Sequence, residues 1–134
     1  MDCERIGRVE TPYASREDAP RQGFLGDATG TVHVAEQYRA ALTGLDTGHT
    51  IDVVWWADDA DRSVLRVRGG NRGVFTTRSP ARPNPVCVTT CDVLAVDSEA
   101  GTLDVAGVDM VDGSPVVDLK YALVGDDEHT PSDR

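Results

Sequence analysis

Short β-branched runs separated by Gly, Pro and Asp dominate the chain, and that punctuation predicts strands rather than long helices. Eight runs qualify: Ile6–Glu10, Gly30–Ala35, Thr50–Ala57, Ser63–Arg68, Gly73–Thr77, Val86–Asp97, Thr102–Asp109 and Pro115–Leu123. Thr31-Val32-His33-Val34 and Val64-Leu65-Arg66-Val67-Arg68 alternate in part, as strands with one buried face do. One helix is predicted over Glu36–Thr43, where Tyr38, Ala41 and Leu42 share a face at three- and four-residue spacing. Asp112-Gly113 between two apolar runs predicts a hairpin turn, because Gly accepts a positive φ at little cost. The fold class is therefore all-β with one short helix. Strands this short and closely spaced favour an antiparallel or mixed barrel over a doubly wound sheet.

A chain of 134 residues and 14.4 kDa has room for one domain. Residues 1–124 are assigned to it, and the polar stretch 125–134 reads as a C-terminal tail. The longest apolar run, Val53–Ala57, is far short of the ~20 residues of a membrane span. Met1-Asp2-Cys3-Glu4-Arg5 is followed by no apolar core of a signal peptide, so a soluble cytoplasmic protein is expected.

Charge changes the picture. The chain carries 23 acids and 13 bases for a net −10, and Lys120 is its one lysine. An acid-rich, lysine-poor composition suggests a cytoplasm of molar salt, where carboxylates and weakly hydrated arginine favour solubility. The distribution is uneven: residues 1–61 are net −7, residues 83–134 net −9, and residues 62–82 net +6 with no acid. That central stripe holds Arg62, Arg66, Arg68, Arg72, Arg78 and Arg82, and points to an anionic partner such as phosphate, carboxylate or RNA backbone. Cys3, Cys87 and Cys91 have neither redox-pair nor zinc-knuckle spacing, and His33, His49 and His129 are scattered, so no metal site is predicted.

Three loops are richer than connection requires: Ala19-Pro20-Arg21-Gln22-Gly23-Phe24, the segment from Arg78 to Pro85, and Gly107 to Pro115. In the second, three prolines stiffen the chain around two arginines, which then have less freedom to lose on binding. No GxGxxG, Walker loop or nucleophile elbow occurs, which excludes dinucleotide, P-loop and serine-hydrolase readings. From the residues alone the reading ends at an all-β anion-binding domain.

Those loops carry a resemblance. Ile6-Gly7-Arg8-Val9-Glu10-Thr11-Pro12-Tyr13, Pro20-Arg21-Gln22, Leu42-Thr43-Gly44-Leu45, the thirteen residues Gly73 to Pro85, and Asp109 to Lys120 occur in order. In that order they resemble the TsaA-like family, whose best-known members are the TrmO tRNA methyltransferases. The resemblance runs from about Ile6 to Tyr121, nearly the whole chain.

It implies a compact β-pseudobarrel, a homodimer with the cofactor site near the interface, and S-adenosyl-L-methionine as methyl donor. The implied reaction methylates N6 of threonylcarbamoyladenosine beside the tRNA anticodon. Carried over by motif, Pro20, Arg21, Gln22, Asp58, Asp59, Arg78, Val88, Val108, Asp109, Met110 and Val111 would bind the cofactor. Arg72, Arg82, Asn84, Asp112 and Lys120 would face the RNA, with Tyr13, Phe24 and Phe75 as stacking platforms. No catalytic residue is assigned; Asp109, Asp112 and Asp118 are candidate bases by position only.

The chain departs from the family at Val86-Cys87, where many relatives have Ile-Gly, and at Asp58-Asp59, where they often carry His-Lys. Lys120-Tyr121 lacks the intervening proline, and the sequence holds no counterpart of the extra C-terminal domain of bacterial members. The alternative to a tRNA methyltransferase is a nucleotide- or S-adenosylmethionine-binding barrel that acts on another substrate or has no catalysis.

Overall fold

The structure is a computed structural model that describes residues 1–19 and 28–123; the expected tail, 125–134, lies outside the described residues. Its strands are β1 (Gly7–Glu10), β2 (Thr29–Val34), β3 (Thr50–Trp56), β4 (Arg66–Val67), β5 (Arg72–Gly73), β6 (Val86–Asp97), β7 (Thr102–Ala106) and β8 (Pro115–Tyr121). Six of them close into an antiparallel barrel in the order β1-β2-β7-β6-β3-β8, and β4 pairs with β5 in a separate two-stranded ribbon. The all-β barrel expected from the pattern is the architecture observed.

Alternation explains the core. Val9 on β1, Val32 and Val34 on β2, Ile51 and Val53 on β3, Cys91 and Val93 on β6, Leu103 and Val105 on β7, and Val116 on β8 are all buried. Burying each Val, Leu or Ile contributes about 1.5–3 kcal/mol relative to leaving it exposed. Between Val93 and Ala95 the β6–β7 register shifts, and the inward phase moves from the odd positions Thr89, Cys91 and Val93 to Val96. Gly7 is set by packing: a Cβ there would lie 2.0 Å from the His33 carbonyl oxygen, so only glycine lets β1 approach β2 this closely.

Several expectations change in detail. The segment Gly73–Thr77 is not a strand: β5 ends at Gly73, and Val74–Thr76 is a 3-10 turn. The cause is local, since Thr76 Oγ1 donates to Gly73 O (2.8 Å) and Thr77 Oγ1 to Val74 O (3.0 Å), competing with a ladder. Ser63–Arg68 contracts to Arg66–Val67, with the Ser63 N–H and hydroxyl both donating to Asp61 Oδ1 (2.9 and 2.6 Å). The run Thr102–Asp109 leaves the sheet after Ala106, where the N–H groups of Gly107 and Val108 turn to Ala28 O (2.9 and 3.3 Å).

The predicted helix is a 3-10 helix, Glu36–Leu42, preceded by Ala35 without a side-chain cap; Leu42 is buried, while Ala41 is exposed. Asp112-Gly113 does form a turn, closed by Ser114 N–H to Val111 O (3.1 Å) with Gly113 at φ 86°. It is not a hairpin turn, because β7 pairs with β2 and β6 whereas β8 pairs with β1 and β3. Instead the turn plugs onto β1, with Gly113 N–H donating to Val9 O (2.8 Å). No helix among the described residues is long and apolar enough to cross a membrane.

Candidate functional site

The inward row of β3 and β6 emerges from the barrel at Trp55 and Cys87, and a cleft opens there. Its volume is about 280 Å³, and its walls are Trp55, Thr77, Arg78, Pro80, Arg82, Val86, Cys87, Val88, Thr89 and Asp109. The sequence reading named Arg78, Val88 and Asp109 for the cofactor and Arg82 for RNA; the structure brings all four to this one cleft. It also adds residues that reading missed. Trp55 Nε1 donates to Thr89 Oγ1 (3.0 Å), and the Thr89 hydroxyl donates to Asp109 Oδ1, so a chain of hydrogen bonds fixes the carboxylate. Thr89 sits in the middle of an apolar inward row at 4% exposure; that lone hydroxyl was the available signal.

The two cleft arginines differ. Arg78 is exposed and makes one described hydrogen bond, from Nη2 to Val88 O (3.2 Å). Arg82 is half-buried and holds its own loop: Nη1 donates to Thr77 O (3.1 Å) and Ser79 O (2.9 Å), and Nη2 to Val74 O (3.0 Å). Prolines cannot donate backbone hydrogen bonds, so a loop rich in them depends on side chains of this kind. Arg62 does similar work from outside, with Nε on Pro83 O (2.7 Å), Nη2 on Asn84 Oδ1 (3.0 Å) and its guanidinium 5.1 Å from the centre of the Trp56 ring. Asn84 therefore serves to seat Arg62.

The remaining named residues fall elsewhere. Pro20, Arg21, Gln22 and Phe24 lie outside the described residues. Asp58 and Asp59 are the exposed centre of a turn closed by Ala60 N–H to Ala57 O (3.1 Å), just past β3. Val108 and Met110 are fully buried core side chains, so between Gly107 and Asp112 a ligand can meet backbone, the half-buried Val111 and the Asp109 side chain. Arg72 is engaged with Thr76, through Nε to Oγ1 (3.0 Å) and Nη2 to the carbonyl (3.2 Å). Asp112 Oδ1 accepts from Thr11 N–H (3.0 Å). Lys120 pairs with Asp118 (3.2 Å) and lines a different cavity, of about 660 Å³, walled largely by Tyr38, Leu42, Leu45, Ile51, Leu119 and Tyr121.

The smaller cleft is the better candidate because charged and polar groups converge on it from three segments. Electrostatics around it is felt in the core as well. Burial, with Asp109, Asp92 and Asp52 nearby, pushes the Cys91 thiol up to about 12, so it is inert at neutral pH. Among the described residues no group of three or more His, Cys, Asp or Glu could hold a metal ion.

Residues 8–127 match the family model of the tRNA-methyltransferase O N-terminal domain. The chain belongs to this family. A relative from Halobacterium salinarum, named a probable S-adenosyl-L-methionine-binding protein, is 58% identical over 123 residues, 92% of this chain and 99% of the relative. The tRNA (adenine(37)-N6)-methyltransferase of Escherichia coli is 32% identical over 133 residues, covering 90% of this chain but 57% of that enzyme. A crystal structure of TrmO superposes with a TM-score of 0.79 at 28% identity over 96% of this chain and 62% of that one. The chain thus spans less than two thirds of the enzymes whose activity or structure has that name, and nearly all of the Halobacterium salinarum relative. Within the TrmO family fold, the cleft is built mainly on the signature segment Gly73 to Pro85 and the start of β6.

Proposed function

We propose that the chain is an S-adenosylmethionine-dependent tRNA methyltransferase that holds its methyl donor in the Arg78–Asp109 cleft. The substrate we infer is N6 of threonylcarbamoyladenosine next to the anticodon. The observation that carries this reading is one cleft, at the mouth of a TrmO-family barrel, that joins an exposed arginine to an oriented carboxylate.

The donor set suits the cofactor. Arg78 offers guanidinium N–H groups to a carboxylate, Asp109 accepts from ammonium or ribose hydroxyls, and Val86 and Val88 give the cleft apolar wall for adenine. By motif, Pro20, Arg21, Gln22, Asp58, Asp59 and Val111, with the backbone of Val108 and Met110, complete the set. When bound, S-adenosylmethionine supplies a methyl group already activated by its sulfonium. The chain's task is then alignment of the nucleophilic nitrogen and exclusion of water. The substituted N6 gives up one proton, which passes to solvent.

On the substrate side, Arg72, Arg82 and Asn84 act by bracing the loop and ribbon, since their polar groups are already engaged there. Lys120 is exposed, pairs with Asp118, and is the residue we assign to a peripheral phosphate; Asp112 holds the Thr11 backbone. We further infer a homodimer with the cleft near its interface. Supporting it, Val86, Val88 and Leu94 lie exposed on the outward face of β6, beside the half-buried Val54 and Trp56 of β3. A salt-adapted cytoplasmic protein is supported by the acid-rich, one-lysine composition and by the Halobacterium relative.

The test is calorimetric titration of S-adenosylmethionine into wild-type and Arg78→Ala protein in ~2 M KCl, a level chosen for a carboxylate-rich surface. Binding should weaken at least about tenfold in the variant, ~1.4 kcal/mol. Mass spectrometry of tRNA nucleosides incubated with the protein should then show a methyl gained on threonylcarbamoyladenosine. A folded wild-type protein that binds no S-adenosylmethionine overturns the reading.

A further inference from the structure

The cationic stripe divides once its partners are known. Arg62, Arg72, Arg78 and Arg82 all donate to the chain's own carbonyls or side chains. The side chains of Arg66 and Arg68 make no hydrogen bond or ion pair among the described residues. The ribbon's register explains part of this. Arg66 lies opposite Gly73, where a side chain would find open space apart from Leu65 O at 3.9 Å, so nothing crosses the ribbon to meet it. Arg68 is the one described non-glycine residue in the left-handed region, at φ 58°, on the turn that joins β4 to β5. Arg68 is exposed there, at the end of the ribbon where β4 turns into β5.

Beside the ribbon stands an aromatic ring with nothing on it. Phe75 is 83% exposed, yet its backbone is held on every side. Val74 before it is buried and Arg82 Nη2 donates to its carbonyl (3.0 Å); Thr76 after it receives Arg72 and donates to Gly73 O. With the backbone on both sides of it braced, only the side-chain torsions of Phe75 remain to be fixed when a base stacks on the ring.

We propose that the β4–β5 ribbon and the turn after it form an RNA-docking arm, in which Arg66 and Arg68 meet backbone phosphates and Phe75 stacks on an unpaired base. This rests on the tRNA reading above and extends it to residues outside the cofactor cleft. Residues 62–82 contain no acid that a nucleic acid would repel, and Thr77 and Arg78, two and three residues past Phe75, already line the cleft. A base stacked on Phe75 is thereby held close along the chain to the site of methyl transfer. In high salt the stacking contribution persists while the phosphate contribution shrinks by counterion release.

The experiment compares wild type, the double variant Arg66→Ser/Arg68→Ser, and Phe75→Ala. Binding of tRNA carrying threonylcarbamoyladenosine is measured from about 0.2 to 2 M KCl, where counterion release separates the contributions. S-adenosylmethionine titration and thermal unfolding run alongside. All three residues are exposed, so the variants should fold and bind S-adenosylmethionine as wild type does. Losing two phosphate contacts should flatten the slope of log K against log[KCl] by about 1.4–1.8. Phe75→Ala should weaken binding roughly tenfold with the slope unchanged, the signature of a lost stack. Wild-type affinity and slope in both variants overturn the arm and leave the tRNA reading standing, as does a change confined to oligomeric state. A wild type that binds S-adenosylmethionine but no tRNA overturns both.

Discussion

Replacing Thr89 by Val tests the hydrogen-bond chain that orients the cleft carboxylate. The substitution keeps the side chain's shape and β-branching and removes only the hydroxyl, which accepts from Trp55 Nε1 and donates to Asp109. A hydrogen bond to a charged group contributes about 1.5–3 kcal/mol and a neutral one about 0.5–1.5. The cleft is open to water that can re-solvate part of Asp109, so the working figure is ~1.5–2.5 kcal/mol of lost stability. At ~2.1 cal/mol/K of unfolding entropy per residue, this chain length converts that to a fall in Tm of about 5–9 °C. Thr89→Ser keeps the hydroxyl and loses one buried methyl, about 0.8 kcal/mol, so Val should be the less stable of the two. Paired thermal and urea unfolding in the same salt measures this. Titration should also find S-adenosylmethionine bound about fivefold more weakly by Thr89→Val, ~1 kcal/mol, and nearly normally by Thr89→Ser. A Val variant as stable as wild type, or more stable than Ser, would refute the reasoning.

Three further outcomes are expected. Arg82→Ala should cost ~1–3 kcal/mol in unfolding experiments, because three carbonyls lose a guanidinium donor, whereas Arg78→Ala should leave the melt nearly unchanged. Gly7→Ala should abolish or severely destabilise the fold, as read by circular dichroism, since the added Cβ meets backbone at 2.0 Å. For Cys91, the folded thiol is raised from 9.0 to about 12, so the native state binds more protons than the unfolded chain across that window. The stability it contributes is complete below pH 9.0 and is lost as pH rises toward about 12. At pH 8, a thiol reagent should therefore label exposed Cys3 at once and Cys91 only on unfolding.

Alternation of period two made most of the barrel readable, because inward valines on β2, β6 and β7 are a pattern that only a strand can place on one side. The failures were local competitions. Gly73–Thr77 reads as β-branched strand, but two threonine hydroxyls captured the carbonyls a ladder needs. Asp112-Gly113 has hairpin chemistry, yet strand order is a property of the whole barrel and no dipeptide encodes it. In the cleft, motif and geometry met at Arg78, Val88 and Asp109. Trp55 and Thr89 went unseen because their contribution is to each other and to Asp109, across residues far apart in sequence. The arginines were visible as a stripe, but which of them are spent on their own loop depends on carbonyl directions that composition does not carry.

The closing seam of the barrel has a consequence for how the molecule is made. β1 completes its pairing on one side with β2, but its other neighbour is β8, with Gly7 opposite Val116. β3 likewise waits for β8 from Ile51 opposite Tyr121. Contacts of such sequence separation form late and slowly, since loop closure is opposed by entropy before any contact rewards it. On the ribosome, therefore, the sheet of earlier strands must emerge with two raw edges still open, one on β1 and one on β3, and those edges are the surfaces on which nascent chains stick to one another. Strand β8 acts as the latch: a chain cut short before Pro115 would keep its hydrophobic interior pattern and still have no way to hide it.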